Sequence, residues 1–254
     1  MKYYVCGIVA YVCLIIVISS IFYIFYLFSL FNNYTKFKSH MFIMAQPKYN
    51  SKPKQYISID IETAGRPVGV YSMLSVGACV VFDTNQQFYR EIKPINNLVI
   101  TDALKVCVRG FHCLSDLLSL PEFNPESEKF SPDLVMQALI ERADSPQKVM
   151  QEYSEWLEKV GENKRLVELA APIKFDGGFC DFYWGQFYDG EPKTSFTAED
   201  INSMYRGVTK NPYANIKELG LRPNGQLPHN ALEDAIIQAK EAEAVLKLMG
   251  VNSF

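Results

Sequence analysis

Residues 56–65 read Tyr-Ile-Ser-Ile-Asp-Ile-Glu-Thr-Ala-Gly. Apolar and polar residues alternate along it, as in a β-strand, whose successive side chains point to opposite faces of a sheet. The alternation places Asp60 and Glu62 next to each other on one face. Like charges on a largely apolar strand repel each other unless a cation neutralises them, and carboxylate oxygens suit Mg²⁺ or Mn²⁺. The alternative is a strand that ends at solvent, with the two acids marking its exit.

The charges divide the chain into two parts. Residues 1–55 contain six lysines and no acidic side chain, out of 25 basic and 28 acidic side chains in 254 residues. The remaining residues therefore hold 19 basic and 28 acidic side chains, a net charge of −9. Such a break indicates parts with different environments. We predict an N-terminal appendage, a basic linker at residues 32–55, and one domain at residues 56–254.

The appendage contains an uncharged, strongly apolar run from Tyr3 to Phe31. A helix needs roughly 20 apolar residues to cross a bilayer, and no small-residue cleavage site of a signal peptide follows the run. Residues 1–31 are therefore predicted to form one transmembrane anchor, and the lysines that follow favour a cytosolic catalytic domain. Met44 offers an alternative: if translation starts there, the product is cytoplasmic and soluble, and residues 1–43 are not part of it.

Two further strands are predicted directly after the first, at residues 73–82 and 87–95, with residues 83–86 as their link. Consecutive strands with so short a link pair in antiparallel fashion, so the domain begins with a three-stranded meander. Later segments alternate between helix and strand: a helix from Ser145-Pro146, a buried strand at 165–171, an aromatic helix after it, and a last helix at 230–249. This order predicts an α/β fold, with a mixed β-sheet flanked by helices. Residues 96–130 show no clear division.

Three groups of acids fall at the ends of these elements: Asp60 with Glu62, then Asp176, then Asp234. Four carboxylates brought together can hold two divalent cations, which stabilise the attacking and leaving oxygens in phosphodiester hydrolysis. His229 lies five residues before Asp234. An imidazole with an ordinary pKa of about 6.5 suits removal of a proton from the attacking water at neutral pH.

The motifs D-x-E, F-D-x-x-F and H-x-x-x-x-D, in this order, resemble the DEDDh 3′–5′ exonucleases of the ribonuclease H-like superfamily. That family includes the proofreading exonuclease of bacterial polymerase III, ribonuclease T and oligoribonuclease. The resemblance covers residues 56–249. It implies a ribonuclease H-like fold and a metal-dependent enzyme that acts on the 3′ end of single-stranded or short RNA or DNA. The products would be nucleoside monophosphates.

The resemblance also implies a role for each matching residue. Asp60, Glu62 and Asp234 would ligate two divalent cations, Mg²⁺ or Mn²⁺, with Asp176 supporting the second ion and His229 acting as general base. The second motif departs from the family, because relatives often carry His-Asn shortly before the Phe-Asp pair and this chain does not. Asp181 is therefore an alternative to Asp176 at this position.

Three residues after the first motif are candidates for substrate binding. In relatives, backbone N–H groups at the positions of Thr63 and Ala64 touch the terminal nucleotide. Relatives also place an apolar wedge between the last two bases, and Met73 stands where such a wedge would be. Alternatively, Met73 simply begins the second strand and packs in the core.

Two other functions remain open at this point. An aspartate-nucleophile phosphatase also begins with paired acids after a strand, but it requires D-x-D where this chain has D-x-E. The second alternative is a catalytically inactive, nuclease-like module that binds nucleic acid and is tethered to a membrane through residues 3–31. The acidic domain argues against extended contact with nucleic acid, because phosphate neutralisation by Lys and Arg supplies most of that affinity. A short single-stranded 3′ end is the partner that this charge favours.

Overall fold

The computed structural model describes residues 52–223 and 227–253. Its strands and helices are, in chain order, β1 Lys54–Thr63, β2 Met73–Val80, β3 Asp83–Glu91, α1 Thr101–Cys107, α2 Pro132–Arg142, α3 Pro146–Val160, β4 Arg165–Ala170, α4 Ile173–Phe187, β5 Glu199–Asp200, α5 Ile201–Thr209 and α6 Ala231–Leu248. Short 3₁₀ helices are Val108–Gly110, His112–Leu114 and Ile216–Leu219. The prediction of an α/β fold with a mixed sheet is confirmed.

The strands form one five-stranded sheet with the order β3-β2-β1-β4-β5. β1 pairs antiparallel with β2, and β2 pairs antiparallel with β3, so the predicted meander is confirmed. β4 joins β1 in parallel, and β5 joins β4 in parallel. Strand β1 is therefore central, and every residue after Lys54 in it is buried. The acids of its second half are held inside the protein, not at a solvent-exposed strand end.

The turn between β2 and β3 differs from the prediction. Val80 pairs with Asp83, so the link is the two-residue turn Val81-Phe82, and residues 83–86 belong to β3. Phe82 has a φ of 71°, and its N–H donates to Glu243 Oε1 at 3.0 Å, which anchors the turn to α6. The polar residues 83–86 resemble a turn because they lie mostly exposed on an edge strand.

Helices cover both faces of the sheet. On one face, Ile57, Ile59 and Ile61 of β1 pack with Tyr153 of α3 and Tyr183 of α4. On the other face, the sheet packs against α5 and α6, and the buried side chains there include Cys79, Val167, Leu169, Ile201, Tyr205, Ala239, Ala242 and Val245. The alternation in β1 thus separates an apolar face from the face that carries its two acids. The predicted start of α3 is confirmed, since the Ser145 hydroxyl accepts from the Lys148 N–H and Pro146 begins the helix.

The segment between β3 and α2 contains α1 and two of the 3₁₀ helices. Its apolar side chains form a third cluster with α2, made by Leu104, Phe111 and Leu114 with Val135 and Leu139. All five of these side chains are fully buried. This segment is thus a fixed part of the domain and can position residues at the site.

Strand β1 begins at Lys54, so the end of the predicted linker belongs to the sheet. The predicted transmembrane anchor at residues 1–31 lies outside the described residues and stays a prediction. Within residues 52–223 and 227–253, no helix has both the length and the apolar character needed to cross a bilayer.

Candidate active site

Strand β1 presents Asp60 and Glu62 at its carboxyl end. Each has only 9% of its surface exposed. In the antiparallel register with β2, Asp60 lies opposite Gly77 and Glu62 lies opposite Ser75. The neighbouring residues on β2 are therefore small, which leaves room for carboxylates and for a further element above them.

Asp176 reaches the site from the first turn of α4. Its Oδ1 atom accepts a hydrogen bond from the backbone N–H of Ile61 at 3.3 Å, between the two acids of β1. Asp176 is buried, whereas Asp181 lies on the exposed side of the same helix. The electrostatic effect of Asp176 reaches both Asp60 and Glu62, while that of Asp181 falls on Glu168 and Cys180.

Asp234 lies in the first turn of α6, which begins directly on the sheet. A Cβ atom at Gly77 would lie 2.2 Å from the carbonyl carbon of Ala231, so only glycine permits this close approach. Because Gly77 is the partner of Asp60, the start of α6 is held beside that acid. Asp234 has 1% of its surface exposed.

His229 precedes the helix N-cap, Asn230, and adopts a left-handed backbone conformation with a φ of 61°. Its backbone N–H donates to Asp234 Oδ2 at 3.1 Å. The Asn230 side chain caps the N–H groups of Leu232 and Glu233 and donates to the carbonyl of Gly110 at 2.7 Å. The unusual conformation of His229 is thus held by its own backbone bond to Asp234 and by the bonds of Asn230, the residue after it.

Gly110 supports His229 from the segment between β3 and α2. A Cβ atom at Gly110 would lie 2.2 Å from the backbone oxygen of His229, so an added methyl group must displace one of the two segments. The Gly110 carbonyl also accepts from the hydroxyl of Tyr89 at 3.2 Å, which ties it to β3. Residues 96–130, which show no clear division in the sequence, therefore have a role: through Gly110 they position the histidine.

We expect Gly110→Ala to reduce turnover by about 10²-fold, since a displacement of about 1 Å at a catalytic group can cost that much. Gly207→Ala on α5 is the matched control, because nothing lies within 4 Å of a Cβ at that position. Turnover and thermal unfolding are measured for both variants. Equal turnover in the two variants would show that Gly110 does not position the histidine.

Burial and nearby negative charge raise the pKa values of all four acids. Burial, followed by the charges of Asp176, Glu62 and Asp234, raises the pKa of Asp60 well above its ordinary value. Burial and the charges of Asp234 and Asp176 raise the pKa of Glu62 to about 8. Burial also raises the pKa values of Asp176 and Asp234 to about 7, although hydrogen bonds to these carboxylates act in the opposite direction. Without a cation, the folded protein holds this cluster partly protonated near neutral pH.

These shifts predict that the metal-free protein loses stability as pH rises from about 5 to 8. The unfolded chain, with carboxyl pKa values of about 4, has released protons that the folded chain still binds, so rising pH favours unfolding. We expect the unfolding temperature in a chelator to fall by at least about 5 °C over this range, and Mg²⁺ to restore it at pH 8. Asp60→Asn should flatten the dependence, whereas equal slopes for parent and variant would contradict the electrostatic account.

The chemistry of the site fits divalent cations. One ligand atom each from Glu62, His229 and Asp234 lies within 4.8 Å of the others. Asp234 Oδ1 is buried and has no hydrogen-bond partner within the described part of the chain. An unpaired buried carboxylate oxygen is costly, and a cation would satisfy it. The charge of Arg222 lowers the pKa of Asp234, against the larger effect of burial. The Arg222 guanidinium donates two hydrogen bonds, of 2.7 and 3.0 Å, to the carboxylate of Glu241.

Thr63, Ala64 and Met73, which were predicted to contact the substrate, are engaged within the fold. Met73 has no exposed surface and packs in the core beside Tyr183, which corrects its assignment as a wedge between bases. The N–H of Ala64 already donates to the Ser72 carbonyl at 2.9 Å, so it is not available to a nucleotide. The Thr63 side chain is buried, and its hydroxyl donates to the Gly65 carbonyl at 2.9 Å, while contact between its backbone N–H and a nucleotide stays a prediction. At Met73 and at the N–H of Ala64, packing and backbone pairing within the fold occupy the groups that were predicted to meet the substrate.

No family model matches the chain. The chain is, however, 31% identical over 198 residues to the 3′–5′ DNA exonuclease Cap18 of Escherichia coli, an alignment that covers 76% of this chain and 92% of Cap18.

Solved structures share the fold. The nuclease domain of 3′hExo, a DEDDh family member bound to rAMP, matches with a TM-score of 0.56 and 16% identity, over 81% of this chain and 96% of that one. The zinc-bound complex of Escherichia coli exonuclease I with single-stranded DNA matches with a TM-score of 0.52 and 12% identity. That match covers 78% of this chain and 42% of the exonuclease I chain.

Proposed function

Because the chain belongs to the DEDDh 3′–5′ exonucleases of the ribonuclease H-like superfamily, we propose that it removes single nucleotides from the 3′ end of short or single-stranded DNA. The reaction hydrolyses the terminal phosphodiester bond and releases a nucleoside monophosphate. It requires two divalent cations, Mg²⁺ or Mn²⁺.

One observation supports this proposal above the others: four buried carboxylates from three separate elements converge beside one histidine. β1 supplies two acids, α4 supplies Asp176, and α6 supplies Asp234, with His229 just before it. The alternative of a module without catalysis gives no physical reason to bury four repelling charges together. Each of them carries a raised pKa, which is typical of functional sites.

Asp60, Glu62, Asp176 and Asp234 are the residues that would hold the two cations. When bound, the cations stabilise the negative charge that develops on the phosphate and on the attacking and leaving oxygens. His229 accepts the proton of the attacking water. Partial burial lowers the pKa of His229, so its imidazole is neutral at neutral pH and ready to accept that proton. The hydrogen bond from the backbone N–H of His229 to Asp234 holds the backbone of the histidine beside the acid cluster.

DNA is the proposed substrate because the relative Cap18 is a DNA exonuclease. The net charge of −9 on residues 56–254 and the exposed acids of the domain disfavour long contacts with a nucleic-acid backbone. A substrate that enters by its 3′ end needs only a few neutralised phosphates, and the cations of the site supply positive charge there. A short or single-stranded end therefore fits this protein better than a duplex.

Oligonucleotides labelled at the 3′ or the 5′ end test the proposal. DNA and RNA of the same sequence are incubated with the protein and Mg²⁺ or Mn²⁺, with a chelator as control. We expect 3′-labelled DNA to release labelled mononucleotide at once. We expect 5′-labelled DNA to give a ladder of progressively shorter fragments, because nucleotides are lost from its 3′ end. Internal cleavage, release from the 5′ end, or equal activity in the chelator would contradict the proposed reaction.

The assignment of the second motif has its own test. Asp176→Asn is expected to abolish cleavage, because Asp176 is buried among the other acids, while Asp181→Asn should retain it, because Asp181 faces outward. Single-turnover rates of both variants are compared with the parent at saturating Mg²⁺. An inactive Asp181→Asn beside an active Asp176→Asn would transfer the role to Asp181.

A further inference from the structure

Gln238 is buried beside the acids, although no role has yet been given to it. It lies on α6, four residues after Asp234 and so one helical turn along the same face. Only 1% of its surface is exposed. A buried amide is costly unless its donors and acceptor are paired, so its contacts show what it is held for.

The side chain of Gln238 bridges two parts of the site. Its Nε2 atom donates to Asp60 Oδ1 at 2.7 Å. Its Oε1 atom accepts from the backbone N–H of Ala171 at 2.6 Å. Ala171 lies between β4 and α4, directly before the helix that carries Asp176. One side chain on α6 thus connects the strand of Asp60 with the junction that leads to Asp176.

The backbone contact determines which way the amide points. The N–H of Ala171 can only donate, so the atom that faces it must be the carbonyl oxygen of Gln238. The amide nitrogen is then directed at Asp60, and the carboxylate of Asp60 accepts from it. This removes the usual ambiguity between the oxygen and the nitrogen of a glutamine side chain.

The hydrogen bond restricts the Asp60 carboxylate. One lone pair of Oδ1 is occupied by Gln238, and the rotation of the carboxylate is fixed by that bond. The remaining lone pairs, above all those of Oδ2, stay available for a cation in one orientation. Groups that hydrogen-bond to metal ligands in this way tune metal affinity by about 10–100-fold.

We propose that Gln238 is a positioning residue for the metal site: it orients the Asp60 carboxylate toward the cations and fixes α6 against the start of α4. The proposal rests on the proposed function of the site. Gln238 is not proposed to touch the substrate or the reacting atoms. It acts through Asp60.

The test compares Gln238→Met with Gln151→Met. Methionine has a similar length and volume but cannot donate to Asp60 or accept from Ala171. Gln151 is the matched control because it lies exposed on α3 and bonds only to Glu155 of the same helix, at 2.8 Å. Binding of Mn²⁺ is measured by calorimetry, the Mg²⁺ dependence of cleavage by end-labelled DNA, and stability by thermal unfolding in a chelator.

We expect Gln238→Met to raise the Kd for Mn²⁺, and the Mg²⁺ concentration for half-maximal cleavage, by about tenfold or more, with excess Mg²⁺ restoring much of the turnover. Gln151→Met should match the parent in both. A Gln238→Met protein that unfolds more easily but binds Mn²⁺ with the parent's Kd would overturn the proposal, since that pattern indicates packing alone. If Gln238→Met does not fold, Gln238→Asn, which keeps the amide but is one methylene too short to bridge, is measured with the same criteria.

The parent protein separates this proposal from the proposed function. If the parent binds Mn²⁺ and degrades DNA from the 3′ end while the Gln238 variants bind Mn²⁺ equally well, only the role of Gln238 is wrong. If the parent neither binds Mn²⁺ nor cleaves, the proposed function is wrong, and the role of Gln238 is overturned with it.

Discussion

Asp60→Asn and Asp234→Asn are each expected to reduce cleavage by about 10³-fold or more. Both acids are proposed to hold the cations, and cation stabilisation of the developing charge is worth several kcal/mol, at about 1.4 kcal/mol per factor of ten. The fold should remain intact, because asparagine has nearly the same shape as aspartate. The metal-free variants should even unfold at a higher temperature than the parent at pH 8, since each change removes one of four repelling charges.

This combination of lost activity and gained stability distinguishes a functional acid from a structural one. Asp189→Asn is the control, since Asp189 is exposed and lies outside the three motifs. Single-turnover cleavage of 3′-labelled DNA and thermal unfolding in a chelator are measured for all three variants. An Asp60→Asn protein that cleaves at the parent's rate in Mg²⁺ would exclude a role for Asp60 in holding the cations.

His229→Ala is expected to reduce turnover by about 10²–10⁴-fold, the usual contribution of a general base. The parent should lose activity as pH falls through the pKa of His229, which partial burial lowers from its ordinary value. The residual rate of the variant should not show this fall in activity at low pH. Single-turnover rates between pH 5 and 9 measure both effects, with His229→Asn as a second variant that keeps a polar side chain.

Binding of Mn²⁺ decides between the two roles open to His229, because one of its ring nitrogens lies within 4.8 Å of ligand atoms of Glu62 and Asp234. A general base should leave the Kd for Mn²⁺ nearly unchanged on substitution by alanine. A ligand should not, because its loss weakens binding directly. An unchanged rate and an unchanged acid limb in His229→Ala would remove this residue from the mechanism.

Most of the site's chemistry was predictable because it is local in the sequence. The alternation around Asp60 and Glu62 reports the two faces of a strand, and the acids stand beside breaks between elements. Their order along the chain resembles that of a family in which the order is distinctive. Strand β1 is central in the structure, so the two acids are buried as this reading requires.

The supporting residues were not predictable, because their roles depend on contacts between distant parts of the chain. Gly77 permits α6 to approach the sheet, and Gly110 permits the approach of His229, yet a lone glycine specifies no partner. Gln238 lies 178 residues from Asp60 in sequence. Only Gly77 carried a usable signal, because a glycine inside a strand pattern often marks a close backbone approach. The same limitation applies to Met73, which lies in one core cluster with Tyr183 of α4, 110 residues away in sequence.

Calorimetric titration of the metal-free protein with Mn²⁺ at pH 8 determines whether the four carboxylates form one site for divalent cations. We expect saturable binding of two ions per chain, weakened or lost in Asp60→Asn, Glu62→Gln, Asp176→Asn and Asp234→Asn and unchanged in Asp189→Asn. Absence of saturable binding in the parent, or binding in all four acid variants that equals the parent's, would contradict a shared cation site.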